Sequence, residues 1–122
     1  MANEFTISVG VSLVNGSLRA QFPQLSRLYT QTTSGMSDQT LSIGTSEENA
    51  SFTDITTPGF VVLHNLDSTN FVQYGMSDGG TMKSLCKLKA GDVHLIRLDA
   101  STTLRLKADT SACKVRVMCF ET

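Results

Sequence analysis

The sequence predicts an all-β fold: a single antiparallel β-sandwich, jelly-roll-like, with about ten short strands over residues 1–122. Three observations predict it. Apolar and polar residues alternate with period two in one segment after another, as half-buried strands require. Clusters of Gly, Asn, Asp and Ser break these segments about every 8–12 residues. No segment places apolar residues at helical spacing. At 122 residues and 40% hydrophobic content, the chain can bury roughly 65% of its unfolded surface. It is short for two domains.

The first element, residues 4–13, carries Phe5, Ile7, Val9, Val11 and Leu13 on one face. Thr6, Ser8, Gly10 and Ser12 fall on the other. Asn15 and Gly16 follow, and both tolerate the positive φ of a tight hairpin. A two-residue turn there pairs Val14 with Ser17. Leu13 then faces Leu18, Val11 faces Ala20, Val9 faces Phe22, and Ser12 faces Arg19. Pro23 lacks an N–H for the ladder and is expected to end the pairing. Residues 26–32 read as a further strand, 33–38 as a polar loop, and 39–44 as a weak strand around Leu41 and Ile43. A turn is expected at 45–48 and a short strand at 50–55.

The central segment 60–66 is apolar on both faces, so it lies inside a sandwich or holds one face against a partner. Asn65, Asp67 and Asn70 can bond nearby backbone and hold a tight turn. That turn is expected to join 60–66 and 71–76 as a hairpin. Strands follow at 82–88, 93–98 and 103–108, with Gly91 in the turn between the first two. The last strand puts Cys113, Val115, Val117 and Cys119 on one face, opposite Lys114 and Arg116.

Charge is uneven. Residues 1–82 hold two cations and seven carboxylates, and residues 83–122 hold eight cations and four carboxylates. Such a split can steer one subunit onto another. The basic half lacks the aromatics that would stack bases, so no nucleic-acid role is expected. Apolar runs are far below the ~20 residues of a membrane-spanning helix. The first residues do not resemble a secretory signal, and synthesis in a cytosol is the expectation.

Catalytic inventory is sparse. No Ser or Cys sits in a Gly-x-Ser-x-Gly elbow, and Asp78-Gly79-Gly80 lacks the Lys of a phosphate-binding loop. His64, His94 and Asp92 could form a metal triad if their strands were neighbours, but a hydrogen-bonded or surface histidine on each strand is the expectation. No metal, cofactor or enzymatic activity is expected. Cys113 and Cys119 lie about 20 Å apart along one strand, too far to bridge. Cys86 could pair with either only if the fold brings them together; three reduced thiols are the expectation.

Residues 57–60 (Thr-Pro-Gly-Phe) and 65–75 (Asn-Leu-Asp-Ser-Thr-Asn-Phe-Val-Gln-Tyr-Gly) carry a recognisable pattern. So do Leu88-Lys89-Ala90-Gly91-Asp92 and Leu106-Lys107-Ala108-Asp109-Thr110. Together they resemble small virion structural proteins of tailed bacteriophages, over roughly residues 57–117. The resemblance implies a capsid decoration or cement protein on the virion surface, made in the host bacterial cytoplasm. It would bridge major capsid protein subunits as a dimer or trimer. Phe60, Val62, His64, Phe71 and Tyr74 are the candidate partner contacts, together with the N-terminal hairpin. Alternatives are a head–tail adaptor, a tail or base-plate component, or a ligand- or glycan-binding jelly roll using Tyr29 and Tyr74.

Overall fold

A computed structural model describes residues 5–31, 34–52, 55–99 and 101–121. The chain divides into two compact units, Met1–Thr33 and Ser34–Glu121. The described residues hold ten strands and no helix, so the all-β expectation stands.

The first unit is a two-stranded ribbon of β1 (Phe5–Asn15) and β2 (Leu18–Tyr29). Its turn lies one residue later than the sequence suggests. Gly16, with φ of 60°, takes the first central position and Ser17 the second. Gly-Ser is itself a hairpin-turn pair. Asn15 therefore faces Leu18, Leu13 faces Ala20, and Val11 faces Phe22. The expected register is off by two residues. A slip of two keeps every side chain on its own face, so alternation alone could not separate the two pairings. Pro23 does not end the pairing either. The register shifts between Val9 and Val11, leaving Pro23 and Gln24 opposite Gly10 alone. A bulge is where a strand can hold a residue with no N–H to give. Residues 26–29 consequently continue β2 and do not begin a new strand. Gly10 suits this point, since a Cβ there would press on the Gln24 backbone at 3.3 Å.

The second unit contains β3 (Met36–Ile43), β4 (Glu48–Asn49), β5 (Pro58–Asn65), β6 (Val72–Asp78), β7 (Thr81–Leu88), β8 (Val93–Arg97), β9 (Leu104–Ala108) and β10 (Cys113–Glu121). They form two antiparallel four-stranded sheets, ordered β3-β10-β5-β8 and β4-β9-β6-β7. Counted within this unit, the orders are 1-8-3-6 and 2-7-4-5, a chain that crosses between sheets in the doubled Greek-key manner of a jelly roll. β3 begins inside the expected loop, at Met36. The strand expected at 50–55 is absent from residues 50–52; residues 53 and 54 lie outside the described residues. Its place is taken by the two-residue β4.

The core lies between the sheets. Val61 and Leu63 on β5, Val72 and Tyr74 on β6, Leu104 and Leu106 on β9, and Val115 and Val117 on β10 are all buried. Each set has the spacing of two that places it on one face of its strand. All three cysteines are free. Cys113 and Cys119 point into the core of the β10 sheet, and Cys86 sits half-buried on β7.

The 65–70 turn is not a hairpin. β5 pairs with β10 and β8, whereas β6 pairs with β9 and β7. The turn is an arch from one sheet to the other. The Asx residues do what their chemistry suggests, but to a different end. Asp67 Oδ2 accepts from the Thr69 and Asn70 backbone N–H groups at 2.9 and 2.6 Å. These two bonds hold the Asp67 carboxyl below the usual carboxylate range, that from Asn70 contributing most. Asn65 is fully buried. Its Nδ2 donates to the Asn70 and Leu88 carbonyls, and its Oδ1 accepts from the Asp67 N–H. Its backbone N–H donates to Asp92 O, and its carbonyl accepts from Gly91 N–H. Asn65 thus joins the 65–70 arch to the 89–92 arch, where Gly91 takes φ of 79°.

Candidate functional site: two apolar faces and an edge cleft

Three surface features could engage a partner. The first is the ribbon. Its paired residues fall alternately on two faces. Phe5 with Tyr29, Val9 with Leu25, Val11 with Phe22, and Leu13 with Ala20 share one face, with Ile7 opposite Arg27. Ser8 with Ser26 and Ser12 with Gln21 share the other, and the two serine hydroxyls bond at 2.7 Å. Phe5 and Tyr29 stack at 5.5 Å, and the Arg27 guanidinium lies 5.2 Å from the Tyr29 ring centroid. The apolar face stands open: Val9, Val11, Leu13, Phe22 and Leu25 are between 42% and 66% exposed. Leu28 and Val14 add exposed apolar surface on the polar side.

The second feature is the outer face of the β3-β10-β5-β8 sheet. Pairing runs Phe120–Phe60–Arg97, Met118–Val62–Leu95 and Arg116–His64–Val93 across β10, β5 and β8. Leu63 and Val61 face inward, so Phe60, Val62 and His64 face outward. Three of the five candidate contacts thus point to one side, but Phe60 is only 7% exposed beneath Arg97, which leaves Val62 and His64 partly accessible there. Leu95 and Val93 on that face are 38% and 59% exposed, and Met36 on β3 is 54% exposed. Arg97 stacks over Phe60 at 4.9 Å, and Arg116 bonds Asp38 through two nitrogens at 3.0 and 2.8 Å. The opposite sheet differs. Its outward positions include Gln73, Lys87, Arg105 and Lys107, which are polar. The sandwich is therefore sided, the outer face of the β3-β10-β5-β8 sheet being the more apolar of the two.

Phe71 and Tyr74 do not join this surface. Phe71 precedes β6 of the other sheet and carries the Lys87 ammonium 4.3 Å above its ring. Tyr74 is 2% exposed and points between the sheets. Its hydroxyl meets His94 Nδ1 at 2.8 Å, a polar tie between β6 and β8. Burial, then the adjacent Cys86 thiol, raises its ionisation above the ordinary phenol range. The metal triad considered from sequence is not formed. Leu63 faces His94 and His64 faces Val93, so the two histidines project from opposite faces of one sheet. Among the described residues no group of three or more His, Cys, Asp or Glu converges on a metal position.

Sequence reasoning missed Met36, Val93, Leu95, Met118 and Phe120 as surface residues. A signal existed. The outward face of the last strand runs Lys114, Arg116, Met118, Phe120, turning from charged to apolar midway. Segment 93–96 likewise carries Val93 and Leu95 at outward positions.

The third feature is an apolar cleft of about 500 Å3 beside β7 and β8, the outermost strands of their sheets. Met76, Leu85, Ile96, Leu98 and Leu104 line it, with Tyr74 at one wall. Leu85 is the extra residue of a bulge between β6 and β7 and is 80% exposed. Gly75 allows that bulge, because a Cβ there would overlap the Lys83 carbonyl.

Comparison with protein-family models, curated proteins and solved structures finds no match.

Proposed function

We propose that the chain is a non-enzymatic structural subunit that works by binding other protein subunits. The observation that carries this reading is the ribbon. A two-stranded ribbon is marginal in water at best, and this one exposes an apolar face interrupted only by Arg27 and the bulge at Gly10. Large exposed apolar patches mark interaction surfaces. A face of this kind becomes stable when another protein covers it.

Within that class, the reading is a capsid decoration or cement protein of a tailed phage. It rests on the resemblance over residues 57–117. The jelly roll and its sided sandwich are compatible with a protein lying flat on a shell and bridging major capsid protein subunits. Repeated modest contacts then add through avidity. A head–tail adaptor or tail component would use the same surfaces at another place on the particle. The test is addition of purified protein to undecorated heads. Cosedimentation and a rise in the temperature at which heads burst are expected. Absence of both sinks the cement reading.

The edge cleft favours a second reading, a small ligand-binding jelly roll. Its apolar lining suits an apolar ligand better than a sugar. An anilinonaphthalene sulfonate probe should then bind the native protein, and Leu85→Glu at the rim should abolish binding. An unresponsive native protein ends this reading.

A further inference from the structure

We propose that the edge cleft takes a single unbranched aliphatic chain with an anionic head group, of the fatty-acid type, and that Lys83 is the counter-charge to the head. This rests on the reading of the cleft as a ligand site and names the class of ligand. It draws only on residues of the Ser34–Glu121 unit.

The cleft is a stretch of the sandwich interior that side chains leave unfilled. β7 and β8 are the outermost strands of their sheets, and the cleft opens between them. On β6, Met76 faces Leu104 of β9 and Lys83 of β7. Directly opposed residues share a face. Leu104 is 3% exposed, so Met76 and Lys83 lie on the inner face with it. On the other sheet Ile96 faces the buried Val61, and Leu98, two residues on, shares that inner face. Tyr74 and Leu104 make the floor, while Met76 and Leu85 stand exposed at the mouth. At about 500 Å3 the cleft falls within the range of small-molecule sites. Sheets stacked about 10 Å apart hold one layer of interleaved side chains. A ligand entering from the edge takes the place of that layer, so it must be thin and apolar. The apolar wall is aliphatic apart from Tyr74 and the Met76 thioether, which suits a methylene chain.

Charge selects the head group. Three charged residues border the cleft: Lys83, Arg97 and Asp99. Arg97 alternates with Ile96 and Leu98, so it faces outward, where it lies over the Phe60 ring at 4.9 Å. Asp99 serves its own loop, its Oδ1 accepting from the Ser101 N–H and hydroxyl at 3.1 and 3.0 Å. Lys83 is the charged side chain that its strand projects onto the inner face, and no carboxylate among the described residues pairs with it. An ammonium at the mouth of an apolar cleft favours a ligand with an apolar body and a negative end. An exposed ion pair is worth at most about a fivefold change in affinity. The chain therefore supplies most of the binding, and Lys83 sets the sign of the head and the direction of entry.

The test is calorimetric titration of the full chain with alkyl probes below their micelle concentrations. From hexanoate to decanoate the Kd should fall about fourfold per added methylene. Decylammonium should bind the wild type more weakly than decanoate. Lys83→Ala should weaken decanoate by up to about fivefold and leave decanol unchanged. Lys83→Glu should reverse the order of decanoate and decylammonium. Thermal melting checks that both variants fold, and Lys83→Ala carries the comparison if Lys83→Glu does not. Affinity that does not rise with chain length overturns the aliphatic chain. Equal binding of decanoate and decylammonium to the wild type overturns the anionic head, as does a Lys83→Glu variant that keeps the wild-type order. In these cases binding of anilinonaphthalene sulfonate leaves the cleft a ligand site of another kind. Failure of that probe together with every alkyl probe removes both readings. Flotation with phosphatidylglycerol vesicles separates a free chain from a bilayer. Flotation without binding of decanoate overturns the single-chain ligand.

Discussion

At the scale of single residues, Asn65 decides more than any other polar side chain. It spends both amide hydrogens and its carbonyl inside the protein, and its backbone groups tie the neighbouring arch. Asn65→Ala leaves the backbone bonds in place but removes the three side-chain bonds, so the Asn70 and Leu88 carbonyls and the Asp67 N–H each lose a partner. One such orphan costs about 1–3 kcal/mol and the lost bonds add to it. An overall loss of about 3 kcal/mol is expected, a drop of roughly 10–20 °C in Tm for a unit of this size. Thermal unfolding by circular dichroism checks it. Asn65→Asp should be no better near neutral pH, since a carboxylate would face two carbonyl oxygens. The Asx chemistry of Asn65, Asp67 and Asn70 was legible in the sequence. The role of the turn was not. A local turn motif records which backbone groups it satisfies, and it holds no record of which sheet receives the next strand.

At the scale of elements, alternation placed strands well and registers poorly. Residues 60–66, 82–88, 93–98 and 103–108 each overlap an observed strand, because a buried face must repeat every second residue. The ribbon shows what that rule leaves open. Pairing Val11 with Ala20 or with Phe22 keeps the same faces together. Only the turn and the bulge choose between them. Gly16 at the first turn position and Pro23 opposite Gly10 make that choice. Pro23 reads as a terminator only if the ladder is assumed regular. The candidate contacts divided for a related reason. Phe60, Val62 and His64 lie at alternate positions of one strand and had to share a face. Tyr74 lies on β6 and Phe71 leads into it, a strand whose sheet could not be known without the arch.

At the scale of the whole molecule, the sandwich closes its own core. The buried cluster runs from Ile43 to Cys119 and draws on no ribbon residue. Stability of the sandwich and docking of the ribbon are expected to be separable quantities, with the cysteines reporting on the first. Cys113 and Cys119 are buried in that cluster, and burial pushes the Cys119 thiol up to about 11. A thiol reagent needs both access and thiolate. In the folded protein it should modify Cys86, which is half-buried on β7, and spare the other two. Cys113 and Cys119 should react only at the rate at which the sandwich opens, and all three should react in denaturant. Phe22→Glu should leave this protection unchanged even as it removes assembly. The measurement is a labelling time course read by mass spectrometry on wild type and variant. Fast labelling of Cys113 and Cys119 in the variant alone would mean that the sandwich depends on a docked ribbon, and the two units would then have to be treated as one cooperative structure.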